Sequence, residues 1–277
     1  MGILSGLENL GVNRKDDDIY ADNKNANKNA AASSDSDQRK NGPTEEEFIL
    51  ERTYTCPVCG KEFKALTVKS NRARLIGTDI DLRPKFEQLD TLKYDVLCCP
   101  NCGYSALSRY FNNILDAQKK LVLEKISSGF HHKDHNGNTY TYEEAIENYQ
   151  LALANAIVMK AKSSVKAYIC LKMAWVVRGY QSQLSGEGLQ RGKEDEKALL
   201  QNALDGFINA RATEDFPMCG MDEETVDYLI SALFYECGKN DSAIKMLSDI
   251  IVSHTANTRI KDRARDLKDR IMAEKGR

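Results

Sequence analysis

Two cysteine-containing turns with the same pattern constrain the fold of this chain more than any other feature. They are Cys56-Pro57-Val58-Cys59-Gly60 and Cys99-Pro100-Asn101-Cys102-Gly103. Each places two thiols three positions apart, and the glycine that follows relieves the backbone where amides crowd towards sulfur. Two such turns facing each other supply the four thiolates of a closed tetrahedral site, which zinc favours. The sequence therefore predicts a zinc site with the ligands Cys56, Cys59, Cys99 and Cys102.

The predicted role of this metal is structural. The segments around the turns are short, rich in β-forming residues and broken by polar residues and Pro84, as is typical of a zinc ribbon whose core is too small to fold alone. Binding of the ion would be worth on the order of 10 kcal/mol to folding. The segment from Tyr54 to Gly60 is also similar to the iron-binding turns of rubredoxin, so an iron-containing electron carrier is the alternative.

The sequence favours a protein that is not an enzyme. A fully thiolate-bound metal has no open coordination position for catalysis. The chain also lacks a phosphate-binding glycine loop, an HExxH motif and a serine nucleophile elbow. The net charge of -2 and the pI near 6.2 argue against a protein that coats nucleic acid or a membrane surface.

The cysteine content and the lack of long apolar segments favour a cytoplasmic protein. No run of eighteen apolar residues predicts a membrane span, and the N-terminus lacks the pattern of a secretion signal. Four of the eight cysteines lie in the two turns, and Cys170, Cys219 and Cys237 are scattered through apolar helical sequence. Metal-bound and buried thiols of this kind favour a reducing cytoplasm.

The chain divides into three predicted parts. Residues 1–47 form a polar tail that we expect to be disordered, residues 48–110 form the metal module, and residues 111–277 form an all-helical domain. At the start of the tail, Ile3, Leu4, Leu7 and Leu10 fall at near-helical spacing. This apolar start is interpreted either as a docking segment for another protein or as a segment that folds back on its own domain.

The 39 residues between Cys59 and Cys99 carry several charges, including Asp79 and Asp81. Four basic residues form a candidate surface for nucleic acid or a partner protein: Arg72, Arg74, Arg83 and Lys85. The alternative is a solvated loop with internal salt bridges. Cys98 adjoins Cys99, but neighbouring strand residues point to opposite faces, so we expect Cys98 to pack beside Val96 rather than to bind the metal.

Apolar periodicity predicts about seven helices after the metal module. The first is expected from Ser105 to about Ser127, and the second begins at the capping box Thr141-Tyr142-Glu143-Glu144. The fourth is expected from about Glu194 to Ala212, after a glycine-rich loop at residues 185–188. Short turns between helix pairs, best seen in residues 228–251, are similar to tetratricopeptide repeats. The predicted class is therefore α+β, mostly α, with a zinc-ribbon β module and a tetratricopeptide-like helical region.

Three histidines stand within six residues, His131, His132 and His135. They could supply a second metal site, but the segment is an apparent loop without the fixed spacing that would orient the rings. A turn without a metal is the favoured interpretation.

Several motifs together resemble a bacterial family catalogued as domain of unknown function 2225. They are residues 1–8, the two cysteine turns, Asp79-Ile80-Asp81, Ala174-Trp175 with Arg178, and residues 216–222. The resemblance implies a zinc ribbon joined to a helical repeat in a bacterial cytoplasm, and it implies no known activity. We therefore predict a zinc-binding scaffold or adaptor that binds an unidentified partner protein through its helical region. The alternatives are a nucleic-acid-binding zinc ribbon and the iron carrier.

Overall fold

The fold is mostly α-helical with a small β module, as predicted from the sequence. The structure, a computed structural model, describes residue 3 and residues 44–276 except for residues 71, 134 and 136. The predicted disordered tail thus lies largely outside the described residues. In the described part, six short strands precede a series of seven helices.

The β module consists of three antiparallel strand pairs. They are β1 (Ile49–Thr55) with β2 (Glu62–Val68), β3 (Leu75–Thr78) with β4 (Pro84–Phe86), and β5 (Val96–Cys98) with β6 (Ser105–Leu107). The first and third pairs are hairpins whose tips are the two cysteine turns. In the first hairpin Tyr54 lies opposite Phe63, and their rings are 5.9 Å apart. The side chain of Phe63 is buried in the main core.

The first predicted helix is wrong at its start. Residues 105–107 form β6, which pairs with β5 so that Val96 lies opposite Leu107 and the second cysteine turn closes as a hairpin. A 3-10 turn follows at Ser108–Tyr110, and α1 (Asp116–Val122) begins only afterwards and ends in a π-helical turn at Leu123–Ser127. The single helix predicted from Ser105 to about Ser127 is therefore replaced by a strand, a 3-10 turn and a short helix with a π-helical end.

Six longer helices follow, and side-chain caps mark several of their starts. They are α2 (Tyr142–Val158), α3 (Ser163–Tyr180), α4 (Gly186–Thr213), α5 (Glu223–Glu236), α6 (Asn240–Val252) and α7 (Thr258–Lys275). The capping box at α2 is confirmed: Glu144 N–H donates to Thr141 Oγ1 at 3.2 Å, and Thr141 N–H donates to Glu144 Oε2 at 2.8 Å. Asp222 caps α5, since its Oδ1 accepts from Thr225 N–H at 2.9 Å.

The fourth helix starts eight residues earlier than predicted. The two glycines that indicated a loop, Gly186 and Gly188, lie in the first turn of α4 and are exposed. Gly192, further along the same helix, is buried against Leu184 and Gln181. Glycine lowers helix stability relative to alanine, so the local pattern favoured a loop where the helix begins.

The core continues from the β module into the helices. One cluster of buried residues includes Phe63, Leu97 and Tyr104 from the module and reaches Leu229 and Leu233 on α5. A second cluster joins α5, α6 and α7. The predicted domain boundary near position 110 stays a prediction, since the apolar core runs across it. In the described part of the chain we find no helix whose length and hydrophobicity would suffice for a membrane span.

Candidate metal centre

The two cysteine turns have nearly identical backbones. In the first, Gly60 N–H donates to the Cys56 carbonyl at 2.9 Å, and in the second Gly103 N–H donates to the Cys99 carbonyl at the same distance. The two glycines have φ of 71° and 73°, a left-handed conformation that side chains disfavour. Each turn therefore presents its two thiols on the same side of a hairpin tip.

The structure brings the four predicted ligands together. All four Sγ atoms lie within 4.8 Å of one another. The Sγ atoms of Cys56 and Cys102 are 3.6 Å apart, and those of Cys59 and Cys99 are 3.7 Å apart. A regular tetrahedron with Zn–S bonds of about 2.3 Å has edges of ~3.8 Å, whereas a disulfide has an S–S length of about 2.05 Å. The thiols are thus spaced for one shared ion, not for disulfide bonds.

The electrostatics of the cluster favour a cation. Hydrogen bonds from Cys102 and Cys56 hold the pKa of the Cys99 thiol well below its usual range. The pKa of Cys102 is raised, because hydrogen bonding with the thiols of Cys56 and Cys99 and burial favour its protonated form. A divalent ion would bind the four sulfurs as thiolates and release their protons.

Helical residues hold the second turn in place. Asn155, fully buried on α2, donates from Nδ2 to the Gly103 carbonyl at 2.9 Å. Ser127 Oγ donates to the Cys102 carbonyl at 2.6 Å. The ring of Phe130 covers Gly103 so closely that a Cβ at this position would lie 2.6 Å from Phe130 Cγ. The metal site is therefore anchored to the helical region through its second turn.

Cys98 does not belong to the thiol cluster. Its thiol donates to Asn148 Oδ1 on α2 at 3.3 Å, and its side chain is partly buried against the core. This position agrees with the expectation that Cys98 and its neighbour face opposite sides of the strand.

Most of the predicted basic surface is used in internal ion pairs. Arg83 pairs with Asp90 at 3.0 Å and is largely buried, Lys85 pairs with Asp79, and the exposed Arg74 lies 3.7 Å from Glu87. Arg72 is exposed. These contacts agree with the alternative of internal salt bridges, and a nucleic-acid surface at these four residues stays a prediction.

A buried charge cluster lies between the β module and the helices and was not predicted from the sequence. Asp81, at the end of the β3–β4 hairpin, is 0% exposed and accepts from Trp175 Nε1 at 2.8 Å. Arg178 contacts Asp81 at 2.8 Å and Glu196 at 2.5 Å. The motifs Asp79-Ile80-Asp81 and Ala174-Trp175 with Arg178 were both noted in the sequence. Their presence alone did not indicate that these residues contact each other.

The same hairpin also reaches the last helix. Arg263 on α7 donates to Thr78 Oγ1 at 2.6 Å, although the two residues are 185 positions apart. The hairpin, residues 75–86, therefore contacts α3 through Asp81 and α7 through Thr78.

The histidine segment gives no second metal site in the residues that the structure describes. His135 Nδ1 lies 2.7 Å from Glu144 Oε1, while His131 and His132 are exposed. Among those residues, the four cysteines form the only group of at least three side chains placed to share an ion.

Comparison with known proteins gives one match. The sequence profile of a family described as "Uncharacterized protein conserved in bacteria (DUF2225)" matches residues 49–271, well over half of the chain. No curated protein and no solved structure matches.

Proposed function

The chain belongs to this family of uncharacterised bacterial proteins, and we propose that it is a non-enzymatic scaffold, stabilised by structural zinc, that binds a partner protein through its helical region. The observation that carries the proposal is the position of the metal centre. The four thiols lie close together at the tips of the two hairpins, and Asn155 on α2 donates to the Gly103 carbonyl of the second turn. A bound ion would therefore fix the position of the β module relative to the helices.

The donor set supports zinc and a structural role. Four soft thiolates in tetrahedral spacing suit Zn²⁺, which has no redox chemistry, and they leave no coordination position for a substrate. Three of the four cysteines are buried, with exposures of 1% for Cys56, 0% for Cys99 and 4% for Cys102. Such burial protects the site from exchange with solvent.

The order of helix packing supports a binding role for the helical region. From α2 to α7, each helix packs against the next one along the chain, and α5 also contacts α7. Serial packing of this kind produces an extended surface of the sort that helical repeats use to bind partners. A tetratricopeptide-like repeat stays a prediction.

Metal analysis of the purified chain tests the first half of the proposal. We expect one equivalent of zinc, a colourless protein, and loss of cooperative unfolding after treatment with a strong chelator. A red protein with stoichiometric iron would contradict the zinc assignment and favour the electron carrier.

Partner capture followed by cross-linking tests the second half. A captured protein is purified and its direct binding is measured, and cross-links to the scaffold are mapped by mass spectrometry. The proposal predicts cross-links to residues 142–275. Cross-links confined to residues 49–107, or binding only to nucleic acid with a steep salt dependence, would contradict it.

A further inference from the structure

Ile3 lies against the helical region and forms hydrogen bonds with two residues that are distant along the chain. Its N–H donates to Asp195 Oδ1 on α4 at 3.0 Å, and its carbonyl accepts from Gln150 Nε2 on α2 at 2.5 Å. Its side chain is partly buried and packs against the main hydrophobic core. The separations along the chain are 192 and 147 residues, so these contacts are tertiary.

Two side chains thus recognise the backbone of a single residue. A carboxylate that accepts from a main-chain N–H and an amide that donates to the adjacent carbonyl would bind any peptide with the same backbone geometry. Hydrogen bonds to a charged group are stronger than neutral ones. Burial raises the pKa of Asp195, and the Ile3 N–H opposes that rise because it stabilises the carboxylate.

The side chain supplies the selectivity that backbone contacts lack. The side chain of Ile3 packs against the main core beside the two backbone hydrogen bonds. Ile3 is the first of four apolar residues at near-helical spacing, Ile3, Leu4, Leu7 and Leu10. Recognition by main-chain hydrogen bonds together with an apolar anchor is a recurring mode of peptide binding. Forty residues separate position 3 from position 44 along the chain.

We propose that the surface between α2 and α4 around Gln150 and Asp195 is a peptide-binding site, and that the N-terminal segment of this chain, anchored by Ile3, is its resident occupant. A tethered occupant competes with a peptide in solution at an effective concentration on the order of 1 mM. Ile3 therefore competes with any peptide in solution for this site. The meaning of this competition for partner binding rests on the proposed scaffold function, whereas occupancy of the site by Ile3 does not.

A labelled peptide of residues 1–12 provides the test, with fluorescence anisotropy as the readout. In the full 277-residue chain, Ile3→Glu is expected to release the tethered segment and open the site. The peptide should bind this variant, and wild type should bind it ~100-fold more weakly if the peptide dissociation constant is about 10 μM. Adding Asp195→Asn to the Ile3→Glu chain should weaken binding at least ~10-fold. The matched control is Glu194→Gln, which alters the adjacent exposed carboxylate and should leave binding unchanged.

Two results would overturn the proposal. One is a folded Ile3→Glu chain that does not bind the peptide, and the other is equal binding to the wild-type and Ile3→Glu chains. If the Ile3→Glu chain does not fold, amide hydrogen exchange of the Asp195→Asn chain is compared with that of wild type. Faster exchange confined to residues 1–12 supports the proposal, and unchanged exchange there contradicts it. Partner capture with both chains is scored separately. If the Ile3→Glu chain binds the peptide but neither chain captures a partner protein, only the scaffold function is refuted. If a partner is captured but the peptide does not bind, only the peptide-binding site is refuted.

Discussion

Substitution of the two turn glycines by alanine should have unequal effects on stability. Gly60 and Gly103 occupy equivalent positions with φ of 71° and 73°, so alanine pays the same left-handed backbone cost of about 1–2 kcal/mol at either one. The surroundings differ. A Cβ at Gly60 meets nothing within 4 Å, whereas a Cβ at Gly103 would lie 2.6 Å from Phe130 Cγ and 2.8 Å from Phe130 Cδ2.

The collision adds to the cost at Gly103. Phe130 is a partly buried ring packed on the core, and overpacking at such a site costs roughly 1–3 kcal/mol. We therefore expect Gly60→Ala to lower the free energy of unfolding by about 1–2 kcal/mol and Gly103→Ala by about 2–5 kcal/mol. The assay is urea unfolding of both variants at saturating zinc, with metal content measured in parallel.

A third variant isolates the contact. Phe130→Ala removes the ring but keeps Cβ, which would lie 3.1 Å from the new methyl group at position 103. In that background the difference between the two glycine substitutions should shrink markedly, and a double-mutant cycle gives the coupling to the ring directly. Equal destabilisation by Gly60→Ala and Gly103→Ala in the wild-type background would refute the reasoning. It would mean that Phe130 does not cover the second turn.

Three other predictions follow from the same structure. Cys59→Ser should abolish stoichiometric metal binding, whereas Cys98→Ser should retain it because the Cys98 thiol contacts a helical amide, and metal analysis of the two proteins distinguishes these outcomes. Arg178→Met should destabilise the fold by about 3–5 kcal/mol because it leaves a buried carboxylate without its counter-ion. Arg211→Met breaks a more exposed pair and should cost at most about 1 kcal/mol in the same denaturation assay. Cys170 should resist alkylation in the native protein from pH 7 to pH 9, because burial raises the pKa of its thiol to about 12, and labelling there before unfolding would contradict its position in the core.

Local sequence patterns predicted the features that depend on neighbouring residues. The grouping of the four thiols followed from two repeated turns, and the start of α2 followed from the reciprocal cap between Thr141 and Glu144. In both cases the identity and the local spacing of the residues involved are enough to predict the feature. The assignment of mostly helical structure after the β module followed in the same way from apolar periodicity.

The misjudged features depend on partners distant in sequence. Residues 105–107 have an apolar pattern that a helix can use, but pairing with β5 determines their conformation. Gly186 and Gly188 indicate a loop locally, but they lie in the first turn of α4, a helix that packs against α3 and α5. The cluster around Asp81 joins residues almost a hundred positions apart, and no local pattern specifies which arginine neutralises a buried aspartate.

The β3–β4 hairpin has a consequence for the mechanics of the helical region. A stack of helices held only by contacts between neighbours can bend and twist like a spring, because small changes at each contact add up along its length. Here the hairpin contacts α3 through Asp81 and α7 through Thr78, so it bridges the stack across four successive helix contacts. Such a brace would limit changes in the curvature of the helical region. A partner would therefore meet a surface whose shape is set before binding, with a smaller loss of conformational entropy on association.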